Sequence, residues 1–298
     1  MARLTDDRRP VYGGDFPDPF VLATGDGYRA FGTQSGGVNV QVLASADLAA
    51  WTARPDALPH LPEWAAPGRT WSPAVLARPG GFVLYCAVRH AAADRQAIAV
   101  AWADDPGGPY TAAARGPLVF QAERGGSIDP SPFVDADGAA YLVWRSDDNA
   151  VGRPPSLWGA PLRPDGLELA GPPVELLRHD APWERPLVEA PSLARVGAGV
   201  YVLFYSGGWW ESDGYAVGYA VGEAPLGPFR KVTVDGPWLA SGPGRAGPGG
   251  AEVFRTAGGE WALALHAWTP PAVRYEAGGR RSLWIERLTF AGDRPQIS

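Results

Sequence analysis

The sequence predicts an all-β fold, a five-bladed β-propeller of four-stranded antiparallel blades, and three observations carry that expectation. One unit of sequence recurs five times along the 298 residues, its period is roughly 55 to 60 residues, and no segment sustains the 3.6-residue apolar pattern of an amphipathic helix. Each unit is long enough for a four-stranded sheet, and such sheets repeated radially make a propeller whose innermost strands line a central channel. A pair of stacked β-sandwiches is the alternative, and the even spacing through the middle of the chain disfavours it. No linker-like stretch divides the chain, so residues 1–298 read as a single propeller domain.

Each copy opens with a Pro-containing turn or its equivalent, runs into an apolar strand, turns at Gly or Asp, and continues as an aromatic-rich strand. The first copy is Asp18-Pro19-Phe20-Val21-Leu22, the turn Gly25-Asp26-Gly27, then Tyr28 to Thr33. The second is Ser72-Pro73-Ala74-Val75-Leu76, the turn Pro79-Gly80-Gly81, then Phe82 to Val88. The third is Asp129-Pro130-Ser131-Pro132-Phe133-Val134, the turn Asp135-Ala136-Asp137-Gly138, then Ala140 to Trp144. The fourth is Glu189-Ala190-Pro191-Ser192-Leu193, the turn Gly197-Ala198-Gly199, then Val200 to Tyr205. The fifth is Gly249-Gly250-Ala251-Glu252-Val253-Phe254, the turn Ala257-Gly258-Gly259, then Trp261 to His266. A third strand and a shared ending follow, seen at 45–51, 103–110 and 222–229, where a turn precedes an outer strand.

Composition fits that plan. The 39 Gly and 31 Pro lack the three-residue period of collagen and imply many turns. A net charge of −6, with Lys and Arg scattered, offers no basic footprint for nucleic acid. The single cysteine, Cys86, lies in an apolar run and reads as a small buried hydrophobe rather than a nucleophile. No run of eighteen apolar residues suggests a membrane span, and no apolar segment follows the charges of residues 1–10. A cytoplasmic monomer is expected, or a secreted one if a signal peptide has been trimmed ahead of this sequence.

If the first apolar strand of each copy is innermost, the residue ahead of it stands at the mouth of the channel. Those positions are Asp18, Ser72, Asp129, Glu189 and Gly249, so three acidic residues converge on one funnel. Asp-Pro is also ordinary turn chemistry, which accounts easily for one such pair but less easily for Glu189. Like charges crowded together repel, and such a cost is usually retained where chemistry needs it. Glycosidic bond cleavage needs one carboxylic acid to protonate the departing oxygen and one carboxylate to activate water or attack directly. Mutual repulsion and burial would keep one member protonated near neutrality.

With these residues in place, the chain resembles glycoside hydrolase family 43, five-bladed propellers acting on arabinose- and xylose-containing polysaccharides. Gly14-Asp15-Phe16-Pro17-Asp18-Pro19 resembles the family's opening motif, Ser127-Ile128-Asp129-Pro130 its second and Leu187-Val188-Glu189-Ala190-Pro191-Ser192 its third. The resemblance implies a catalytic propeller in which Asp18 is the general base, Asp129 tunes the acid's pKa and Glu189 is the general acid. It implies inversion at the anomeric carbon. Trp71-Ser72-Pro73, Tyr141 to Asn149, His266-Ala267-Trp268 and Gly279-Arg280-Arg281-Ser282-Leu283 resemble further family segments. Trp71, Arg281, His266, Phe16 and Trp209 are the implied substrate-binding residues, with Arg281 preferred to Arg280. Many relatives have Gly-Pro-Gly-His where this chain has Gly247-Pro248-Gly249-Gly250, so no metal or other cofactor is expected to be required, although a structural calcium near His266 would suit the family.

Within the family, motif spacing and a compact single domain favour an exo-acting α-L-arabinofuranosidase working on arabinan, arabino-oligosaccharides or arabinoxylan. A β-D-xylosidase or endo-arabinanase is the alternative, and a non-catalytic carbohydrate-binding propeller is the alternative of another class. Among rival residues, Glu184 reads as a surface-loop or supporting carboxylate and Asp15 as a turn cap. Trp64, Trp71, Trp209 and Trp210 lie where a sugar platform is credible. His60, His90 and His179 form no ligand spacing.

Overall fold

The computed structural model describes residues 9–297, and over them the chain forms twenty β-strands in five four-stranded antiparallel sheets with no α-helix. Each sheet takes four consecutive strands paired in chain order. The blades run from β1 (Phe20–Thr24) to β4 (Thr52–Arg54) and from β5 (Ala65–Arg78) to β8 (Thr111–Ala112). The third runs from β9 (Ser127–Val134) to β12 (Val174–Arg178), the fourth from β13 (Val188–Gly197) to β16 (Phe229–Lys231) and the last from β17 (Ala246–Arg255) to β20 (Arg294–Ile297). The first strand of every blade touches the first strands of both neighbours, so β1, β5, β9, β13 and β17 close a ring. This is the five-bladed propeller read from the repeats. Residues 1–8, part of the opening segment read as lacking an export signal, lie outside the described residues.

The hairpins form where the sequence punctuates them. Gly80 and Gly199 take φ of 90° and 65° between the first two strands of their blades, a left-handed turn that other residues adopt at a cost. The segments 45–51, 103–110 and 222–229 do lie between the third and the outer strand of blades one, two and four. The outer strands β4 and β8 are short and largely exposed, whereas the inner strands β13 and β17 bury most of their residues. Five apolar clusters, one at each junction between adjacent blades, form the core. Cys86 is buried in the first junction, and burial pushes its thiol up to about 12.

One expectation from the repeats is corrected by the strand register. In blade two Trp71 pairs with Ala87 and Ala74 with Tyr85, so three steps on the inner strand oppose two on its partner. Blades four and five repeat this at Glu189/Ser192 and Gly249/Glu252, and in blade three Ile128 and Ser131 pair with Arg145 and Val143. The inner strands of blades two to five therefore carry a one-residue bulge, and in blade one the Thr33 N–H donates to the Pro17 carbonyl, which leaves Asp18 as the extra residue just ahead of β1. The extra residue has positive φ in every blade: Asp18 (53°), Ser72 (48°), Asp129 (54°), Ala190 (49°) and Gly250 (58°). The equivalent of Asp18 is thus Ala190 in blade four and Gly250 in blade five, not Glu189 and Gly249. The Pro after the bulge, at 19, 73, 130 and 191, marks the register; Glu189 stands one residue earlier.

Candidate active site

The bulges build the site because a left-handed residue turns its side chain and its N–H out of the strand ladder. Four of the freed N–H groups donate to a side chain of the preceding blade. Asp18 donates to His266 Nδ1 (3.0 Å), Ser72 to Thr33 Oγ1 (2.8 Å), Ala190 to Asp129 Oδ2 (3.0 Å) and Gly250 to Ser206 Oγ (3.0 Å). The funnel mouth is therefore a belt of hydrogen bonds between blades, and its side chains are held by partners that also fix the ring.

Above this belt lies a cavity of about 530 Å³ bordered by Asp18, Asp129 and Glu189 together. Asp18 accepts from Thr33 Oγ1 on Oδ2 (2.6 Å), and its Oδ1 faces Arg281 Nη1 at 3.7 Å. Its side chain keeps 22% exposure, so the carboxylate can meet water in the cavity. Asp129 accepts from Ser72 Oγ (2.7 Å) and from the Ala190 N–H. Burial raises its pKa, opposed by the Arg145 charge and reinforced by Asp18.

Glu189 is 9% exposed and is gripped from two sides. Arg145 Nη1 donates to Oε2 at 2.5 Å and the Tyr215 hydroxyl to Oε1 at 2.7 Å. Burial lifts its pKa to about 7, Arg145 and the Tyr215 bond pull down, and the neighbouring Asp129 and Asp18 push up. One carboxyl poised near neutrality beside a second, solvent-touched carboxylate is the arrangement that acid and base catalysis of glycosidic cleavage requires.

The other expected residues divide. Trp71, Trp209 and Arg281 border the cavity, whereas Arg280 is exposed away from it. The Arg281 guanidinium lies 4.6 Å over Trp210 and receives further support from Tyr275, whose hydroxyl accepts from its Nε at 3.1 Å. Phe16 does not reach the cavity; it is fully buried in the junction of blades five and one. His266 is also fully buried, behind Asp18. Burial lowers its pKa to about 3, helped by Arg281 and opposed by Asp18, so the ring is neutral. Since Nδ1 accepts the Asp18 N–H, the hydrogen sits on Nε2, which then offers a donor and not a lone pair. These residues do not fit a calcium site, which calls for several oxygen ligands.

Two rivals prove to have other work. Glu184 is not on a surface loop but fully buried, accepting from Tyr205 (2.8 Å), Lys231 and the N–H groups of Asp180 and Ala181. Asp15 does not cap its own turn. It accepts the Arg281 N–H (2.9 Å) and the Tyr275 hydroxyl (3.2 Å), tying the opening segment to the wall of the cavity. Trp64 stands apart, its ring tilted against His90 and packed on the first junction. Sequence reasoning missed Arg145, Asp147, Asn149, Thr33, Gln34 and Tyr215, all of which border the cavity. Only the charged run Arg145-Ser146-Asp147-Asp148-Asn149 straight after an apolar strand signalled any of them.

Comparison with known proteins agrees with this geometry. The family model described as glycosyl hydrolases family 43 matches residues 7–294. A β-D-galactofuranosidase, xynD of Aspergillus niger, is 28% identical over 241 residues, covering 75% of this chain. The chain spans 65% of that relative's length. A thermostable family-43 glycoside hydrolase of known structure superposes with a TM-score of 0.83 at 26% identity, over 95% of this chain and 93% of that one. An endo-1,4-β-xylanase from Bacteroides thetaiotaomicron VPI-5482 gives 0.81 at 26% identity, over 97% and 96%.

Proposed function

The chain belongs to glycosyl hydrolase family 43, and from that membership we propose that it releases terminal α-L-arabinofuranose from arabinan, arabino-oligosaccharides or arabinoxylan with inversion at the anomeric carbon. One observation carries the reading: Asp18, Asp129 and Glu189 border one cavity, and the Asp18 side chain is 22% exposed against 12% for Glu189. Asp18 takes a proton from a water molecule as that water attacks the anomeric carbon. Glu189 gives its proton to the departing glycosidic oxygen on the other side. Asp129, held by Ser72 and the Ala190 N–H, adds negative charge that keeps Glu189 protonated in the resting enzyme. Arg281, fixed between Trp210 and Tyr275, is placed to bind sugar hydroxyls beside Asp18.

Exo action is supported by the walls. β5 continues from the Trp71 position out to Ala65 and pairs there with β6 (Gly81–His90), raising a ribbon on the blade-two side of the mouth. Gln34 ties that ribbon to blade one by accepting the Thr70 N–H at 2.9 Å and donating to the Gly68 carbonyl. Trp209, Trp210 and Tyr275 border the cavity as well. Such walls suit a chain end better than the middle of a polymer.

A second reading has its own support, since the A. niger relative is named a β-D-galactofuranosidase. The rings of α-L-arabinofuranose and β-D-galactofuranose share their configuration and differ in the exocyclic arm. Aryl α-L-arabinofuranoside, β-D-galactofuranoside and β-D-xyloside, assayed beside arabinan, separate the two readings and the xylosidase alternative. Activity on none of them would favour a non-catalytic sugar-binding propeller. Proton NMR of the first sugar released tests the stereochemistry: an initially retained anomer overturns the assignment of Asp18 as base.

A further inference from the structure

Arg145 is an unusual neighbour for an acid that must hold a proton. It is only 2% exposed, sits at the end of β10 (Ala140–Ser146), and spends its two terminal nitrogens on different partners. Nη1 donates to Glu189 Oε2, while Nη2 meets Asn149 Oδ1 and lies 3.5 Å from Asp147 Oδ1. Asp147 and Asn149 border the cavity without any part in the chemistry described so far. Their evident effect is on the guanidinium, which they clamp from the side opposite Glu189.

We propose that Arg145 is the positioning residue for Glu189, fixing the plane of its carboxyl and limiting how tightly it holds its proton, with Asp147 and Asn149 setting the guanidinium that does so. This rests on the reading of Glu189 as the acid. The Glu189 carboxyl is reached by Asp129 from β9, Arg145 from β10, Tyr215 from the segment before β15 (Ala216–Gly222) and Asp18 from the start of blade one. Neutral His266 of β18 (Trp261–Trp268) stacks on Tyr215 at 5.9 Å. Arg281 of β19 (Arg281–Ala291) is turned to Asp18. Arg145 is therefore the one cation in contact with Glu189 among the described residues. Without it, burial and two carboxylates act unopposed except by Tyr215, and the acid becomes too weak to protonate a poor leaving group promptly. Asp147, itself raised to about 6 mainly by burial despite Arg145, competes for the same guanidinium.

The test combines kinetics with a direct titration. The pH dependence of kcat/KM is measured for wild type, Arg145→Met, Arg145→Lys and Asp147→Asn on a substrate with a poor leaving group. Carbon-13 NMR of Glu-labelled enzyme, assigned with Glu189→Gln, follows the Glu189 carboxyl in the same proteins. In Arg145→Met the basic limb and the carboxyl titration are expected to move up together by about 1 to 3 pH units. kcat should fall on the order of 10- to 100-fold with a smaller change in KM. Arg145→Lys restores the charge but not the fork, so the limb returns toward wild type while kcat stays low. Asp147→Asn removes a competitor and a negative neighbour, and the limb moves down. An unmoved titration in Arg145→Met, or Arg145→Lys indistinguishable from it, overturns the proposal. If Arg145→Met does not fold, an unmoved limb in Asp147→Asn overturns it instead. Full activity of Glu189→Gln on the same substrate would instead sink the acid assignment, and the NMR titration would still report whether Arg145 governs the carboxyl.

Discussion

Glu189 answers two opposed demands in one carboxyl. Burial first, then Asp129 and Asp18, favour the protonated form, while Arg145 and Tyr215 favour the charged form, and the balance falls at about 7. Activity that uses the protonated acid is therefore expected to hold below that value and fall as pH rises through it, read from the basic limb of kcat/KM. Glu189→Gln should lose about 10² to 10⁴ in kcat/KM on an unactivated glycoside and far less on an aryl glycoside whose leaving group needs no proton. Equal losses on both substrates would deny Glu189 the role of acid. Asp18, Asp129 and Glu189 were legible because each stands next to, or one residue from, a Pro that opens an inner strand. Arg145 and Tyr215 were not. Arg145 comes from the far end of a second strand and meets Glu189 only once blades three and four stand side by side, and Tyr215 comes from the loop ahead of a third strand, 26 residues along Glu189's own blade.

The inner strand shows both how far a repeat can be read and where it misleads. The apolar strand and its Pro were enough to find every blade, but a bulge has no fixed sequence, so Glu189 was placed one step out of register. What fills each bulge depends on the neighbouring blade. At Gly250 a Cβ would come within 2.7 Å of His266 Nδ1, the atom that holds the Asp18 N–H, and at Gly249 within 1.9 Å of the Tyr215 ring. Gly250→Ala is accordingly expected to keep the fold, displace His266 and Asp18, and lower kcat/KM by on the order of 10²-fold; wild-type kinetics would refute this account of the glycine. Two residues on, Glu252 accepts from Ser131 Oγ at 3.1 Å and so links blades five and three inside the channel. Burial lifts its pKa to about 8, against hydrogen bonds from Ser131 and Ser192. The folded protein thus holds this proton where the unfolded chain has released it. The stability it contributes is complete below about 4.5 and is lost as pH rises toward and through about 8. Glu252→Gln should flatten the decline of Tm between pH 5 and pH 8 by on the order of a few °C, and an unchanged slope would exclude Glu252 as its source.

Across the whole molecule, five repeats foretold a ring, yet nothing in a repeat says how the ring is sealed. Both edge blades are complete in themselves, so closure falls to the segment ahead of β1. The Val11 N–H donates to the Leu283 carbonyl (2.9 Å), the Leu283 N–H to the Tyr12 carbonyl (3.1 Å) and the Phe16 N–H to the Arg281 carbonyl (2.8 Å). Phe16 drives its ring into the junction of blades five and one, against Tyr12 and beneath Gly32, where a Cβ would meet it at 3.0 Å. The same seam places Asp18 on one side and Arg281 on the other, with Asp15 bonded across it. Sealing the ring and assembling the site are thus one event, joining residues more than 260 positions apart. Phe16→Ala is expected to cost about 3 to 5 kcal/mol in denaturant unfolding and to reduce the activity of the molecules that remain folded. Leu142→Ala, at the fully buried junction of blades two and three, removes a comparable core side chain for about 2 to 5 kcal/mol but leaves the Asp18 and Arg281 seam intact. Its folded fraction should keep near-normal kcat/KM. If the two variants lose activity only in proportion to unfolding, the seam is a stability device alone; a selective loss in Phe16→Ala shows that closing the propeller is what sets the distance between Asp18 and Arg281.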